Sequence, residues 1–114
     1  MASDTLNQII CSGGLFLAKD TRRFLLLLRN QGKTAGTWGL VGGKKEPEDV
    51  TLIDSLTREI QEEVGKTPPI KKIVPLELFT SNDQNFQYNT YALIVDKEFI
   101  PELNEEHSGY AWCS

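Results

Sequence analysis

Apolar residues along the chain gather in short runs that are separated by loops rich in glycine, lysine and aspartate. The run at 23–29 is continuous and of strand length, as expected for a strand covered on both faces. The turn at 19–22 joins it to the preceding run as a hairpin. On this pattern the sequence predicts strands at 7–18, 23–29, 38–41, 72–80, 86–96 and 109–113.

The pattern changes to a helical period between Thr51 and Val64. One apolar face is formed by residues that recur at spacings of three and four: Ile53, Leu56, Ile60 and Val64. Thr51 is a good N-cap, Gly65 stands where a helix would stop, and the prolines at 68–69 forbid continuation. One long helix among strands predicts a layered α/β or α+β fold on a mixed sheet.

Size, charge and cysteine content narrow the class of protein. With 114 residues the chain is expected to form one domain over 1–114. The first residues lack a basic start followed by an apolar run, so we expect a soluble, cytoplasmic protein. A net charge of −4 argues against a surface that follows duplex nucleic acid. Cys11 and Cys113 are too few for a disulfide framework; inert thiols are expected, and a pairing near the two ends is the alternative.

The predicted helix carries a second stripe, which is acidic. Glu59, Glu62 and Glu63 stand at i, i+3 and i+4 and are therefore neighbours that repel one another. A solvated acidic helix face is the ordinary explanation. Glu63 falls near the shoulder of the apolar stripe, however, and converging carboxylates partly out of water favour a hard divalent cation. Arg58 can orient one of these carboxylates but cannot neutralise all three.

A glycine pair, Gly42-Gly43, follows the short strand at 38–41 and precedes a charged loop. Glycine can take a positive φ and lets a main-chain carbonyl approach a metal or ligand closely. A plain turn is the alternative for two glycines in isolation. The functional interpretation gains from the order of features, which runs from strand to glycine pair, acidic loop, capped helix, acidic triplet and glycine.

From residue 42 onward these features resemble the signature of Nudix hydrolases, usually written G-x5-E-x7-R-E-U-x-E-E-x-G-U with U apolar. The second half of the signature matches 58–65 as Arg-Glu-Ile-x-Glu-Glu-x-Gly. Residues 38–43 are similar to the Trp-x-Leu-Pro-Gly-Gly that often precedes it, with valine in place of proline. Lys66 stands where an apolar residue is usual. The charged loop is one residue longer than the pattern, so its first glutamate stays open among Glu46, Glu48 and Asp49.

The resemblance implies an α/β/α sandwich on a mixed sheet. It further implies a Mg²⁺-dependent pyrophosphohydrolase, with Mn²⁺ as the alternative ion, that cleaves a nucleoside diphosphate linked to another group. Glu59, Glu62, Glu63 and the Gly42 carbonyl would form the metal site, and Arg58 would hold the glutamates in place. Family members typically continue into a further helix across the sheet, so the domain is expected to be incomplete at its C-terminus.

A distal acid should complete the site. The stretch 103–107 resembles the loop before the final strand, where many members place another catalytic glutamate, and Glu106 is favoured over Glu105. His107 is the only histidine. It is taken either as an exposed loop residue or as a catalytic one. For the aromatic side chains, core packing is favoured over stacking on a base; they are Trp38, Phe79, Phe86, Tyr88, Tyr91 and Trp112.

Other functions stay open at this point. The same scaffold hosts an isomerase and glycosyl-transfer hydrolases, which release different products. A Nudix-like module that binds or senses a nucleotide without turnover is the main non-enzymatic alternative, and the irregular loop favours it slightly. An acidic interaction domain without a ligand comes third. The expected partner is a small-molecule nucleotide diphosphate, with no membrane; the sequence decides neither the leaving group nor whether the chain forms a homodimer.

Overall fold

The computed structural model describes residues 8–114 of the chain. Within them, seven strands form one mixed sheet and a single α-helix packs on it, which is the α+β architecture predicted from the sequence. The elements are β1 (Ile9–Ala18), β2 (Arg23–Arg29), β3 (Trp38–Gly39), β4 (Val41–Lys44), α1 (Leu52–Glu63), β5 (Lys72–Thr80), β6 (Phe86–Val95) and β7 (His107–Cys113). A short 3-10 turn spans Gly32–Thr34.

Strand β1 is the branch point of the sheet. Along one edge it pairs in parallel with β6 over its whole length, and β5 lies beyond β6. Along the other edge it pairs with two different strands, with β4 over Cys11–Gly14 and with β2 at Leu17–Ala18. Strands β2 and β4 therefore pair with separate segments of one edge of β1, while β3 and β7 pair with β2.

The core lies between α1 and one face of the sheet. Its buried members from the sheet are Phe16, Ala18, Leu25, Leu27, Val41, Leu93 and Val95, and those from the helix segment are Leu56, Ile60 and Val64. The prediction that Ile53 belongs to this set was wrong, since Ile53 is 37% exposed. Ser55 is buried instead. The buried face of the helix is thus rotated away from Ile53 and toward Ser55, Glu59 and Glu63.

Several element boundaries differ from the prediction. The expected strand at 38–41 is two short strands, and the second of them, β4, takes in Gly42 and Gly43 because both pair with β1. The last strand begins at His107 rather than at 109. The first begins at Ile9; the predicted start at Asn7 lies outside the described residues.

Two tryptophans were expected in the core, and only one packs there. Trp38 is 50% exposed, because it stands on the two-residue strand β3 at the border of the sheet. Trp112 is partly buried against the core, and its ring N–H donates to the Phe99 carbonyl at 3.1 Å.

Cys11 and Cys113 are both free, as expected, and partly buried.

Among residues 8–114, no helix has the length and the apolar character needed to cross a bilayer.

The helix start is fixed by a capping box. The Thr51 hydroxyl accepts from the Asp54 N–H at 3.1 Å, and the Asp54 carboxylate accepts from the Thr51 N–H at 3.2 Å. We predict that Thr51→Ala lowers the free energy of unfolding by about 1 kcal/mol, measured by urea denaturation. Thr57→Ala is the matched control, because Thr57 is exposed within the helix and alanine is the better helix former. Equal stability of the two variants would contradict the capping role.

Candidate active site

Two glutamates of α1 are buried against the glycine pair of β4. Glu63 is 2% exposed and Glu59 is 8% exposed. The Glu63 Oε1 accepts from the Gly42 N–H at 3.2 Å. A Cβ at position 43 would collide with the Glu59 carboxylate, so glycine at this position leaves that carboxylate its place against β4. Gly42 adopts a φ of +153°, and a Cβ there would collide with the Ser12 carbonyl.

The two buried carboxyl groups lie close enough to perturb each other's ionisation. Burial, and after it the neighbouring Glu59, raises the pKa of Glu63 to about 9. Burial also raises the pKa of Glu59, against the opposing effects of its hydrogen bond to Glu63 and of Arg58. Near neutral pH the pair therefore retains a proton when no cation is bound. Carboxylates whose pKa values are displaced by burial and by each other are typical of functional sites.

Arg58 ties the helix to the charged loop before it. Its guanidinium donates twice to Asp49, from Nε to Oδ1 at 3.2 Å and from Nη2 to Oδ2 at 2.9 Å, and Nη2 also donates to the Lys44 carbonyl at 3.2 Å. Hydrogen bonds from Arg58 lower the pKa of Asp49 to about 2. The remaining Nη1 lies 3.4 to 3.5 Å from carboxylate oxygens of Glu46, Glu59 and Glu62.

These contacts separate the three loop acids that the sequence left open. Asp49 is buried and its carboxylate accepts hydrogen bonds from Arg58. Its Oδ2 also accepts from the Glu46 N–H at 2.9 Å. Glu46 is exposed and shares Nη1 of Arg58 with the helix glutamates. Glu48 is exposed and makes no side-chain hydrogen bond or ion pair within the described part of the chain. Asp49 therefore orients Arg58, and Glu46 is the loop acid that shares a guanidinium nitrogen with Glu59 and Glu62.

Glu62 does not share the buried position of its neighbours. Its side chain is 50% exposed and lies 3.5 Å from Arg58 Nη1. Among residues 8–114, no three potential metal-binding side chains already converge on one point. The donor set nevertheless fits a divalent cation: two buried carboxylates retain a proton, and a third lies on the same helix. Oxygen donors of this kind are what Mg²⁺ prefers, and a cation would replace the proton.

The loop before β7 brings Glu106 toward this pair. The negative charge of Glu106 contributes to raising the pKa of both Glu59 and Glu63. Its main chain is anchored, because the carbonyl accepts from the Asn30 N–H at 2.8 Å. Asn104 holds it twice, accepting from the Glu106 N–H at 3.1 Å and donating to Oε2 at 3.2 Å. No role was predicted for Asn104, although an asparagine side chain commonly bonds the backbone N–H two residues further on.

His107 is buried, with 6% of its surface exposed. Of the two interpretations left open for His107, the exposed loop residue was therefore wrong, because β7 begins two residues earlier than expected and takes His107 into the sheet. Burial, followed by the charge of Arg29, lowers the pKa of His107. The imidazole is thus neutral at physiological pH, and its Nδ1 has no hydrogen-bond partner among the described residues.

The aromatic residues of β5 and β6 differ in burial. Tyr91 packs against the core, as predicted. Phe86 and Tyr88 are partly buried, with ring centroids 6.5 Å apart. Phe79 is exposed, contrary to the expected core position, because β5 is the edge strand of the sheet. The Tyr88 hydroxyl lies directly over Gly13, where any Cβ would collide with it.

Comparison with known proteins gives one family. The model of the NUDIX domain matches residues 12–114. The MutT protein of Methanosarcina mazei Go1 is 30% identical with a TM-score of 0.71, over 94% of this chain and 77% of that one. The NUDIX domain of Shewanella oneidensis NrtR, complexed with ADP ribose, is 18% identical with a TM-score of 0.74, over 93% and 72% of the two chains. No curated protein matches.

A MutT/nudix family protein from Enterococcus faecalis has a similar fold, with 19% identity and a TM-score of 0.77. The similarity covers 92% of this chain but 43% of the Enterococcus protein. The chain therefore spans less than half the length of that relative.

The raised pKa of Glu63 gives a prediction for stability without metal. The folded pKa of about 9 lies above the ordinary value of 4.5, so at intermediate pH the folded chain holds a proton that the unfolded chain has released. The stability contributed by this proton is complete below pH 4.5 and is lost as the pH rises toward 9. Glu63→Gln should remove this decline and leave the protein as stable as wild type, or more so, at pH 8.

The measurement is urea denaturation between pH 5 and pH 9 in the presence of a chelator. Glu62→Gln is the control: its carboxylate is half exposed, so this variant should keep the wild-type decline. The same decline in wild type and in Glu63→Gln would contradict the assignment.

Proposed function

The chain belongs to the Nudix hydrolase family, and on that premise we propose that it is a Mg²⁺-dependent hydrolase of nucleoside diphosphates linked to another group. Mn²⁺ is the alternative ion. The observation that carries the proposal is the buried pair of Glu59 and Glu63, which retains a proton against the glycine pair of β4. Such a pair is costly unless a cation neutralises it.

Glu59, Glu62 and Glu63 would hold the metal, and Gly42 would contribute its carbonyl. When bound, Mg²⁺ would offset the charge of the diphosphate and lower the pKa of the attacking water. Glu62 lies on the same helix face, one turn from Glu59, and its side chain is free to leave Arg58 because the contact is long and half exposed.

Other side chains of the protein would orient the metal ligands and accept the proton of the attacking water. Arg58, held in place by Asp49, orients Glu59 and Glu62 through Nη1. Glu106 is the proton acceptor for the attacking water, because it is exposed, lies within electrostatic range of the buried pair and is oriented by Asn104. A base held in this way contributes about 10²- to 10⁴-fold to the rate.

The family and the fold relatives support the proposed substrate class. A NUDIX domain of similar fold has been crystallised with ADP ribose, a nucleoside diphosphate joined to a sugar. A nucleotide-binding module without turnover is the second candidate. The lengthened loop favours it, because Asp49 of that loop is taken up by Arg58 and only the exposed Glu46 is left to fill the role of the first glutamate.

Turnover is tested with ADP ribose, a dinucleoside polyphosphate and a nucleoside triphosphate, each incubated with Mg²⁺ and resolved by chromatography. We expect cleavage of a diphosphate linkage that stops when the metal is chelated. Glu63→Gln should lower the rate by about two orders of magnitude or more, because a metal ligand is lost. Glu48→Gln, in the exposed part of the loop, should leave it unchanged. Binding of these compounds without any cleavage would favour the sensing module.

The role of Glu106 is tested by comparison with its neighbour. Glu106→Gln should lower kcat by about 10²-fold or more while Mg²⁺ affinity, measured by calorimetry, stays near that of wild type. Glu105→Gln should have a milder effect, since its side chain makes no contact with the site within the described residues. The reverse order of the two variants would show that Glu105 is the base.

A further inference from the structure

Ser12 of β1 carries a hydroxyl group that is completely buried. Side chains alternate between the two faces of a strand, so Ser12 faces the same side as Phe16 and Ala18, which belong to the core beneath α1. Among residues 8–114 its Oγ has no hydrogen-bond partner. A buried hydroxyl without a partner is unfavourable, and a serine in this position therefore needs an explanation.

Strand pairing places this hydroxyl beside the carboxylate of Glu59. Ser12 is the direct partner of Gly43 in the antiparallel ladder between β1 and β4. Directly opposed residues project to the same face of a sheet, with Cβ positions about 4.5 to 5.5 Å apart. The Glu59 carboxylate fills the space over Gly43, since its atoms lie within 3.3 Å of the position that a Cβ would take there. Ser12 and the Glu59 carboxylate are therefore neighbours on the helix side of the sheet.

Glu59 has fewer donors around its carboxylate than Glu63. Glu63 accepts from the Gly42 N–H at 3.2 Å, whereas no main-chain N–H of the described residues donates to Glu59. Arg58 Nη1 lies 3.5 Å from Glu59 Oε2, and two further glutamates share this nitrogen. A cation that binds one oxygen of Glu59 would leave the other oxygen ionised and buried. That second oxygen requires a hydrogen-bond donor.

We propose that the Ser12 hydroxyl donates a hydrogen bond to the Glu59 carboxylate when a divalent cation binds, and so holds this metal ligand in place; the inference rests on the proposed function of the site. Ser12 is a positioning residue, because it acts through Glu59 and not on the reacting atoms. Rotation about χ1 redirects the hydroxyl without a change in the backbone. Carboxylates that bind metals are commonly oriented by hydrogen bonds of this kind.

The test measures binding of Mn²⁺ alone, from the paramagnetic resonance signal of the free ion, to wild type and to Ser12→Ala. Alanine is similar to serine in size and removes only the donor. The Kd for Mn²⁺ should rise about 10-fold, at the lower end of the range of about 10- to 100-fold that is typical of residues holding a metal ligand. In chelator, the melting temperature of Ser12→Ala should equal or exceed that of wild type, because a buried hydroxyl without a partner is removed.

Two further variants show whether the hydroxyl acts through Glu59. In the Glu59→Gln background, Ser12→Ala should weaken Mn²⁺ binding no further, because the effects of two residues that act through one contact are not additive. Ser55→Ala is the matched control. It removes an equally buried hydroxyl from α1, on the side of Asp49, and should bind Mn²⁺ as wild type does.

The outcomes separate this inference from the proposed hydrolysis. Weaker Mn²⁺ binding by Ser12→Ala, with no substrate cleaved by wild type, would leave the inference standing while the hydrolysis fails. The inference would be overturned by equal affinity of wild type and Ser12→Ala, by the same loss in Ser55→Ala, by an additive loss in the double variant, or by a lower melting temperature of Ser12→Ala in chelator. A wild type that binds no Mn²⁺ would overturn it together with the metal dependence of the site.

Discussion

The burial of Glu59 and Glu63 against Gly42 and Gly43 is the constraint on which the rest of this structure depends. Removing two carboxyl groups from water is unfavourable, and the fold compensates by pairing them with each other and with the Gly42 N–H. The Glu59 carboxylate occupies the space that a Cβ at position 43 would fill, so this packing depends on glycine there.

Arg58, whose guanidinium contacts Glu59, is already bound by other residues. The Arg58 guanidinium donates to Asp49 and to the Lys44 carbonyl. It therefore orders the acidic loop and compensates only part of the negative charge of the helix. Glu59 and Glu63 consequently depend on a proton or on a cation.

Local patterns predicted most of the elements. Strand β2, the capped helix and the stop at Gly65 follow from apolar runs, a capping box and a glycine with φ of +72°, all of which are set within a few residues. Tertiary features were not accessible in this way. Ser55 has a polar side chain, yet it is buried in preference to Ile53, because the buried face of the helix also includes Glu59 and Glu63. The burial of His107 and the pairing of Gly42 with β1 depend likewise on strands distant in the sequence.

The measurement that tests this account most directly is the titration of the Glu63 carboxyl group by carbon NMR, with and without Mg²⁺. Without metal, the account predicts a pKa of Glu63 of about 9. Saturating Mg²⁺ should lower this pKa below the ordinary value of 4.5, because the cation favours the ionised carboxylate. A pKa near 4.5 in the metal-free protein, or one that Mg²⁺ does not change, would contradict the claim that the buried pair is a cation site.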